Sequence, residues 1–312
     1  MSKLFVIGNG FDSAHGLPTS YDEFRQYLCD TYMDGECEDD CIPMVPTITM
    51  GPKGEDICDM EGVASFLVYL ISIAEPDGSK WSDLETSLGR LDYSEAFEIL
   101  PEEFDSDGDI NYWRESYNNE DMASNLYTVV SYVKDFFCEW VEEIDIGMAK
   151  VKLGFLSLLG SEDIFLTFNY TETLEEIYGV NEERICHIHG KRGAHILFGH
   201  GNEVDHSDEY MRKNIGSENA LAELDCFLKK DTEQALKEHK YFFDGIDDKI
   251  TEVFSMGFSF SDVDLVYIKE ICSKLSSDVV WYLNDFKQSD IPTFQAKLRK
   301  CGFKGRFATF KI

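Results

Sequence analysis

The residues of this sequence that could do chemistry lie in four short polar segments, each directly after an apolar run. The first is Gly8-Asn9-Gly10-Phe11-Asp12-Ser13-Ala14-His15-Gly16-Leu17-Pro18. Paired glycines just past a strand let the backbone turn tightly and let a pyrophosphate approach its N–H groups. Ser13 stands where the usual dinucleotide fingerprint has its third glycine, and no acidic residue closes a second strand about twenty residues later. The loop therefore departs from that fingerprint, and a plain glycine turn at a sheet edge is the alternative. Asp12 could accept a ribose hydroxyl or cap the helix that follows.

The second segment is Thr167-Phe168-Asn169-Tyr170-Thr171-Glu172. Asn169 can both donate and accept, which suits a ribose or an amide, whereas Thr171 reads as the N-cap of a helix over 172–178. The third is Cys186-His187-Ile188-His189-Gly190. Strand alternation puts both histidines on one face, and a histidine ending a strand is well placed as a general base. For His187 a buried ring bonded to a carbonyl is the preferred reading. His195 and His200 make a metal site conceivable, but no carboxylate falls at a recognisable ligand spacing, so no metal is expected. The fourth is Met256-Gly257-Phe258-Ser259-Phe260-Ser261-Asp262-Val263-Asp264. Here Ser261 or Asp262 fits the N-cap of a helix over 265–275, with backbone N–H groups that could face a ligand. Outside these segments, Trp81 and Glu85 are spaced one helical turn apart and so would share a face. Trp81 reads as core and Glu85 as an outlying candidate carboxylate.

The elements that must position these groups follow from hydrophobic patterning. Apolar runs at 3–7, 163–168, 184–188, 195–198, 249–256, 279–283 and 307–311 read as strands. Most lead through Gly, Asn or Ser/Asp into a helical pattern, the rhythm of a parallel sheet with crossover helices. The expected fold is α/β: a Rossmann-like parallel sheet with helices on both faces, in a single domain over 1–312. Two acidic, mostly helical insertions interrupt it, at about 30–150 and 203–245. Helical periodicity is clear at 63–73 and 123–144, and Leu221, Leu224, Phe227 and Leu228 share a helix face, while 36–40 and 102–109 read as solvated loops. In an open parallel sheet all four polar segments would converge outside the carboxyl ends of the strands, where ligands bind.

Composition narrows the function. A formal net charge of −32 repels phosphate backbones, and the densest basic stretch (Lys297, Arg299, Lys300, Lys304, Arg306) is small, so a nucleic-acid partner is not expected. No apolar run is long enough to span a membrane and the N-terminus does not read as a signal peptide, so a cytoplasmic protein is expected. The nine cysteines lack a Cys-x-x-Cys pair and read as free thiols.

The opening Leu4-Phe5-Val6-Ile7-Gly8-Asn9-Gly10-Phe11-Asp12, with His15-Gly16-Leu17-Pro18-Thr19-Ser20-Tyr21, resembles the AbiH family of bacterial abortive-infection proteins, which protect cells against phage. Trp81-Ser82-Asp83-Leu84-Glu85, Phe168-Asn169-Tyr170-Thr171, His187-Ile188-His189-Gly190, Phe198-Gly199-His200-Gly201 and Gly257-Phe258-Ser259 fit that family in order. More distantly, the same points are similar to the sirtuin-like NAD-binding fold. Gly8-Asn9-Gly10 and Gly16-Leu17-Pro18 stand for its glycine loop and Gly-Ile-Pro, Asn169 for the asparagine of Gln-Asn-Ile-Asp, and His189-Gly190 for the catalytic His-Gly. The resemblance implies NAD or a related nucleotide as ligand or substrate, with His189 as general base and Asn169 positioning the ribose or the attacking water. Gly8 and Gly10 would hold the pyrophosphate, and Asn9, Phe11, Asp12, His15, Thr167, Tyr170, Gly257 and Ser259 would complete the site. Thr171 replaces that motif's aspartate, Tyr21 stands where its arginine would fall, and the zinc cysteines are absent, so deacetylation is not expected. Glycosidic-bond hydrolysis in phage defence is the leading expectation. A non-catalytic nucleotide sensor, and a metal-dependent hydrolase using His187, His189 and His200, are the alternatives. The phage trigger is unidentified, and homo-oligomerisation stays open.

Overall fold

The computed structural model describes residues 2–33, 43–53, 56–76, 80–286 and 288–311. The chain forms two compact units. One comprises Met1–Ser20, Val141–Leu197 and Asp231–Ile312, and the other Tyr21–Trp140 and Phe198–Lys230.

The first unit is built on six strands: β1 (Ser2–Ile7), β2 (Ile164–Thr167), β3 (Ile185–His187), β4 (Ile250–Met256), β5 (Val280–Asn284) and β6 (Arg306–Phe310). All pair in parallel, in the spatial order β3-β2-β1-β4-β5-β6. Its helices include α1 (Gly10–His15), α2 (Thr173–Tyr178), α3 (Leu265–Lys274) and α4 (Ile291–Lys300). Strand alternation splits β1 between two cores. Leu4 and Val6 join Leu166, Val253, Trp281 and the Ile268 and Ile271 side chains of α3 on one face. Phe5 and Ile7 join Phe165, Phe254, Phe11, Phe155 and Leu174 on the other. Burial on both faces explains why β1 and β4 read as nearly continuous apolar runs. The Phe5 ring stacks on Phe165 at 5.0 Å and on Phe254 at 5.3 Å, fixing register across the central three strands.

The expected α/β Rossmann-like fold is therefore present, with one correction. Residues 195–198 form no strand. Gly190 and Gly199, both at positive φ, bracket the segment, and Leu197 N–H donates to the His189 carbonyl in a turn of chain rather than a ladder. The strand order reverses between β1 and β4, the switch point at which open parallel sheets leave a crevice.

The second unit is mainly helical, with helices Tyr21–Tyr32, Met60–Ala74, Tyr112–Glu143 and Glu218–Leu228, and a short ribbon pairing Thr49–Met50 with Asp56–Ile57. Leu221, Leu224 and Leu228 are buried, as their helical spacing requires. Residues 102–109 form a loop closed by the bridge Phe104–Ile110, whereas 36–40 lie outside the described residues. Trp81 does not share a helix face with Glu85. The helix begins at Leu84, so Trp81 precedes it and packs on Phe24 at 5.8 Å. Cys29, buried in its helix, is disulfide-bonded rather than a free thiol, whereas Cys186, Cys226, Cys272 and Cys301 are free. Among the described residues no helix is long and apolar enough to cross a membrane.

Candidate functional site

The carboxyl ends of β1 and β4 are joined backbone to backbone. Gly8 N–H donates to the Met256 carbonyl at 3.0 Å, and Gly10 N–H to the Gly257 carbonyl at 2.9 Å. A Cβ on Gly8 would lie 2.6 Å from the Phe258 Cα. One on Gly257, which holds φ +64°, would lie 2.0 Å from the Phe11 nitrogen. The glycines after β1 and β4 are thus required by the close approach of the two loops, before any ligand is considered. Asn9, Gly10, Gly257 and Ser259 are exposed along this edge, and Asn9 Nδ2 ties the loop down by donating to the Thr19 carbonyl at 2.6 Å. Phe260 sits at φ +55°, a left-handed conformation that costs a bulky residue about 1–3 kcal/mol. Its ring, 4.7 Å from Phe258 and 4.9 Å from Phe294, and its carbonyl, accepting from Lys297 Nζ at 2.8 Å, hold it there.

Asp12 is buried at the start of α1. Its Oδ2 accepts from the Thr171 hydroxyl, which also lies 3.1 Å from that of Thr173. Thr171 is therefore not the helix cap expected from its position; α2 begins at Thr173, and the hydroxyl reaches across to α1. Burial raises the Asp12 pKa to about 6, opposed by Thr171, Thr173, Asn169 and the charge of His187. Among the described residues, Asp12 Oδ1 nevertheless receives no aligned donor, and neither does the buried Oδ1 of Asn169. Thr167 is buried beneath, its Oγ1 accepting from Asn169 N–H at 3.2 Å. His187 is the bridging residue the carbonyl reading describes. Its Nδ1 lies 3.2 Å from the Asn169 carbonyl and its Nε2 2.8 Å from Glu175 Oε1, anchoring the Asn169 backbone to α2.

His189, 2% exposed, sits among the rings of Phe168, Tyr170 and Tyr267. Its Nε2 lies 3.3 Å from Asp264 Oδ1, and Ser261 Oγ donates to Asp264 Oδ2 at 3.0 Å. Ser261 thus serves the carboxylate instead of capping a helix backbone. A carboxylate held against an imidazole is the arrangement that orients a general base. Asp264 is the candidate residue that sequence reading missed as a partner of His189. Its only signal was its place in Ser261-Asp262-Val263-Asp264, far along the chain from His189.

Asn169, His189, Asp12, Thr167 and Tyr170 thus belong to one strand-end neighbourhood with the two glycine loops. Phe11 and His15 do not face it. Phe11 is core, and the His15 Nδ1 bonds the Phe11 carbonyl at 2.6 Å while its Nε2 meets Tyr178 OH at 2.5 Å. Burial lowers the His15 pKa, so both contacts suit a neutral ring.

In the second unit His200 is equally committed, with Nδ1 accepting from Asn202 N–H at 3.0 Å and Nε2 3.2 Å from the Asp225 carbonyl. Glu85 is ion-paired to Lys230. No group of three His, Cys, Asp or Glu side chains suited to a metal ion occurs among the described residues, so the metal-hydrolase alternative gains no support.

The model of the family described as bacteriophage abortive infection AbiH matches residues 4–285. No curated protein and no solved structure matches the chain. The opening strand, the glycine loop, Asn169, His189 and Asp264 all fall within the matched span, and this chain belongs to the AbiH family of bacteriophage abortive infection, with a role in phage defence.

Proposed function

We propose that the carboxyl edge of the sheet binds NAD, or a closely related nucleotide, and that the protein hydrolyses its glycosidic bond. One observation carries the reading. At the switch point of a sheet ordered β3-β2-β1-β4-β5-β6, two buried acceptors without donors, Asp12 Oδ1 and Asn169 Oδ1, stand in one neighbourhood with the His189–Asp264 pair. The vicinal hydroxyls of a ribose supply two such donors. The Gly8 and Gly10 N–H groups are committed to the Met256 and Gly257 carbonyls, so the pyrophosphate is left the exposed loop edge at Asn9, Gly257 and Ser259.

In the reaction, water attacks C1′ and gives its proton to His189. The C1′–N bond breaks with its electron pair passing to the pyridinium nitrogen, releasing neutral nicotinamide and ADP-ribose. The Asp264 carboxylate, 3.3 Å from Nε2, favours the tautomer protonated there, which leaves the basic lone pair of the neutral ring on Nδ1, and it stabilises the imidazolium that forms. Asn169 orients the ribose or the water. The reaction would run in the cytoplasm, with a phage component as trigger.

The test is nicotinamide release, followed by chromatography, from NAD incubated with wild-type protein and with Asn169→Ala and His189→Ala. Release by the wild type and a loss of about 100-fold or more in each variant is expected. Full turnover by His189→Ala would sink the assigned base. NAD binding by calorimetry without any product would make the nucleotide a signal, the role of a sensor. Neither binding nor release would overturn the nucleotide reading.

A further inference from the structure

The second unit contains a pocket of about 310 Å3 that the nucleotide reading does not use. Residues 89–97 and 202–225 form its wall, with Tyr93, Phe97 and Tyr210 as aromatic surface and Asp92, Glu209 and Asp225 as carboxylates. Most of its charges are already matched. Lys213 Nζ lies 3.0 Å from Glu209 Oε1 and also acts on Asp92, which takes the Ser94 N–H and hydroxyl as well. Arg90 is exposed, where solvent screens it. Asp225 is different. Its Oδ2 accepts from Tyr210 OH at 2.9 Å, but no lysine or arginine pairs with it among the described residues. Burial pushes its carboxyl pKa up, with the Tyr210 bond and the charge of His206 opposing.

Tyr93 supplies an independent observation. It is 4% exposed, and its hydroxyl is buried without a hydrogen-bond partner among the described residues. Tyr93, Tyr210 and Asp225 all line this pocket, so a bare phenol, a second phenol and a carboxylate belong to one wall.

We propose that this pocket is a second ligand site and that it takes a small organic cation, an amine or guanidinium, with Asp225 as counter-ion and the Tyr93 oxygen as acceptor. A cation with N–H donors serves both atoms at once, and electron-rich rings line its path. The volume fits a molecule of about ten non-hydrogen atoms. The net charge of −32 raises the local concentration of cations without selecting among them; selection falls to the pocket.

The test titrates agmatine into full-length protein by calorimetry at about 150 mM salt, where surface attraction is largely screened. One-to-one binding is expected, weakened roughly tenfold by Asp225→Asn and about threefold by Tyr93→Phe. Tyr93→Phe removes only an unpartnered oxygen, so it should melt at or above the wild-type temperature while binding agmatine more weakly. That opposition separates a binding role from a structural one. Should Asp225→Asn fail to fold, the phenol variant decides alone. Equal binding to wild type and Tyr93→Phe would reduce the signal to adsorption on an acidic surface and overturn the proposal. Absence of binding up to about 10 mM would also overturn it, as would a site that takes inorganic phosphate through Arg90.

Discussion

The surroundings of Lys230 and His200 in the helical unit and the strand ends of the sheet bury similar polar chemistry and treat it in opposite ways. In the helical unit Lys230, whose side chain is fully buried, donates to Glu85. His200 has a partner at each ring nitrogen, and the Trp81 indole donates to Ser72 Oγ at 3.0 Å. At the sheet edge, Asp12 and Asn169 each keep an acceptor without a donor, His189 faces a carboxylate, and Phe260 is held in a strained conformation. Closed networks hold a fold together. At strand ends, a buried acceptor left bare costs about 1–3 kcal/mol, and the proposed ribose would relieve that cost.

The sharpest way to break this contrast is to open the closed side. Lys230→Met strands Glu85 and should destabilise the protein by about 3–5 kcal/mol, read from urea denaturation, whereas adding Glu85→Leu should recover most of the loss. A single-variant cost under about 1 kcal/mol would show the pair to be no more closed than the sheet edge.

Asp12→Asn tests the open side, and its sign is the reverse. The folded pKa of about 6 lies above the ordinary value of 3.8. The folded state therefore binds this proton more tightly, and the stability linked to it is full below pH 4 and lost as pH rises through 6. At pH 8 the charged, buried carboxylate costs about 3 kcal/mol that the asparagine does not. The variant should thus gain up to that amount at pH 8 and nothing at pH 3.5, while weakening NAD binding. A variant less stable at pH 8 would place Asp12 among the closed groups. Smaller still, Asp264→Asn should cut nicotinamide release by about 10- to 100-fold, with the calorimetric Kd for NAD unchanged, since it acts through His189. An equal loss of affinity would make Asp264 a binding residue instead.

The sheet was legible because a parallel sheet buries both faces, so its strands leave continuous apolar runs. Residues 195–198 carry the same composition, but glycines at both ends turn the chain out of the ladder, which composition does not encode. The glycine loops were legible as loops, though each glycine answers first to the other loop's backbone, a contact between residues 8–11 and 257–258. Asn169 and His189 were legible from their place after strands. Asp264 was not, because it follows β4 while its partner follows β3, far away in sequence. His15 misled for the converse reason: a polar residue beside a loop turned inward to meet Tyr178.

Thr171 separates what local position predicts from what packing decides. As a helix cap, its hydroxyl would be worth about 1 kcal/mol at any pH. As the donor to Asp12, it matters only while that carboxylate is charged. Thr171→Val should therefore cost about 1.5–3 kcal/mol at pH 8, within the range of a hydrogen bond to a charged group, and much less at pH 4.5, where Asp12 is protonated in the folded state. Removing the donor also removes a contribution that lowers the Asp12 pKa, so the loss should set in as pH rises through a midpoint above 6. Urea denaturation at pH 4.5, 6 and 8 reads the difference. A pH-independent cost would return Thr171 to the helix and leave Asp12 to be held by Thr173 and Asn169.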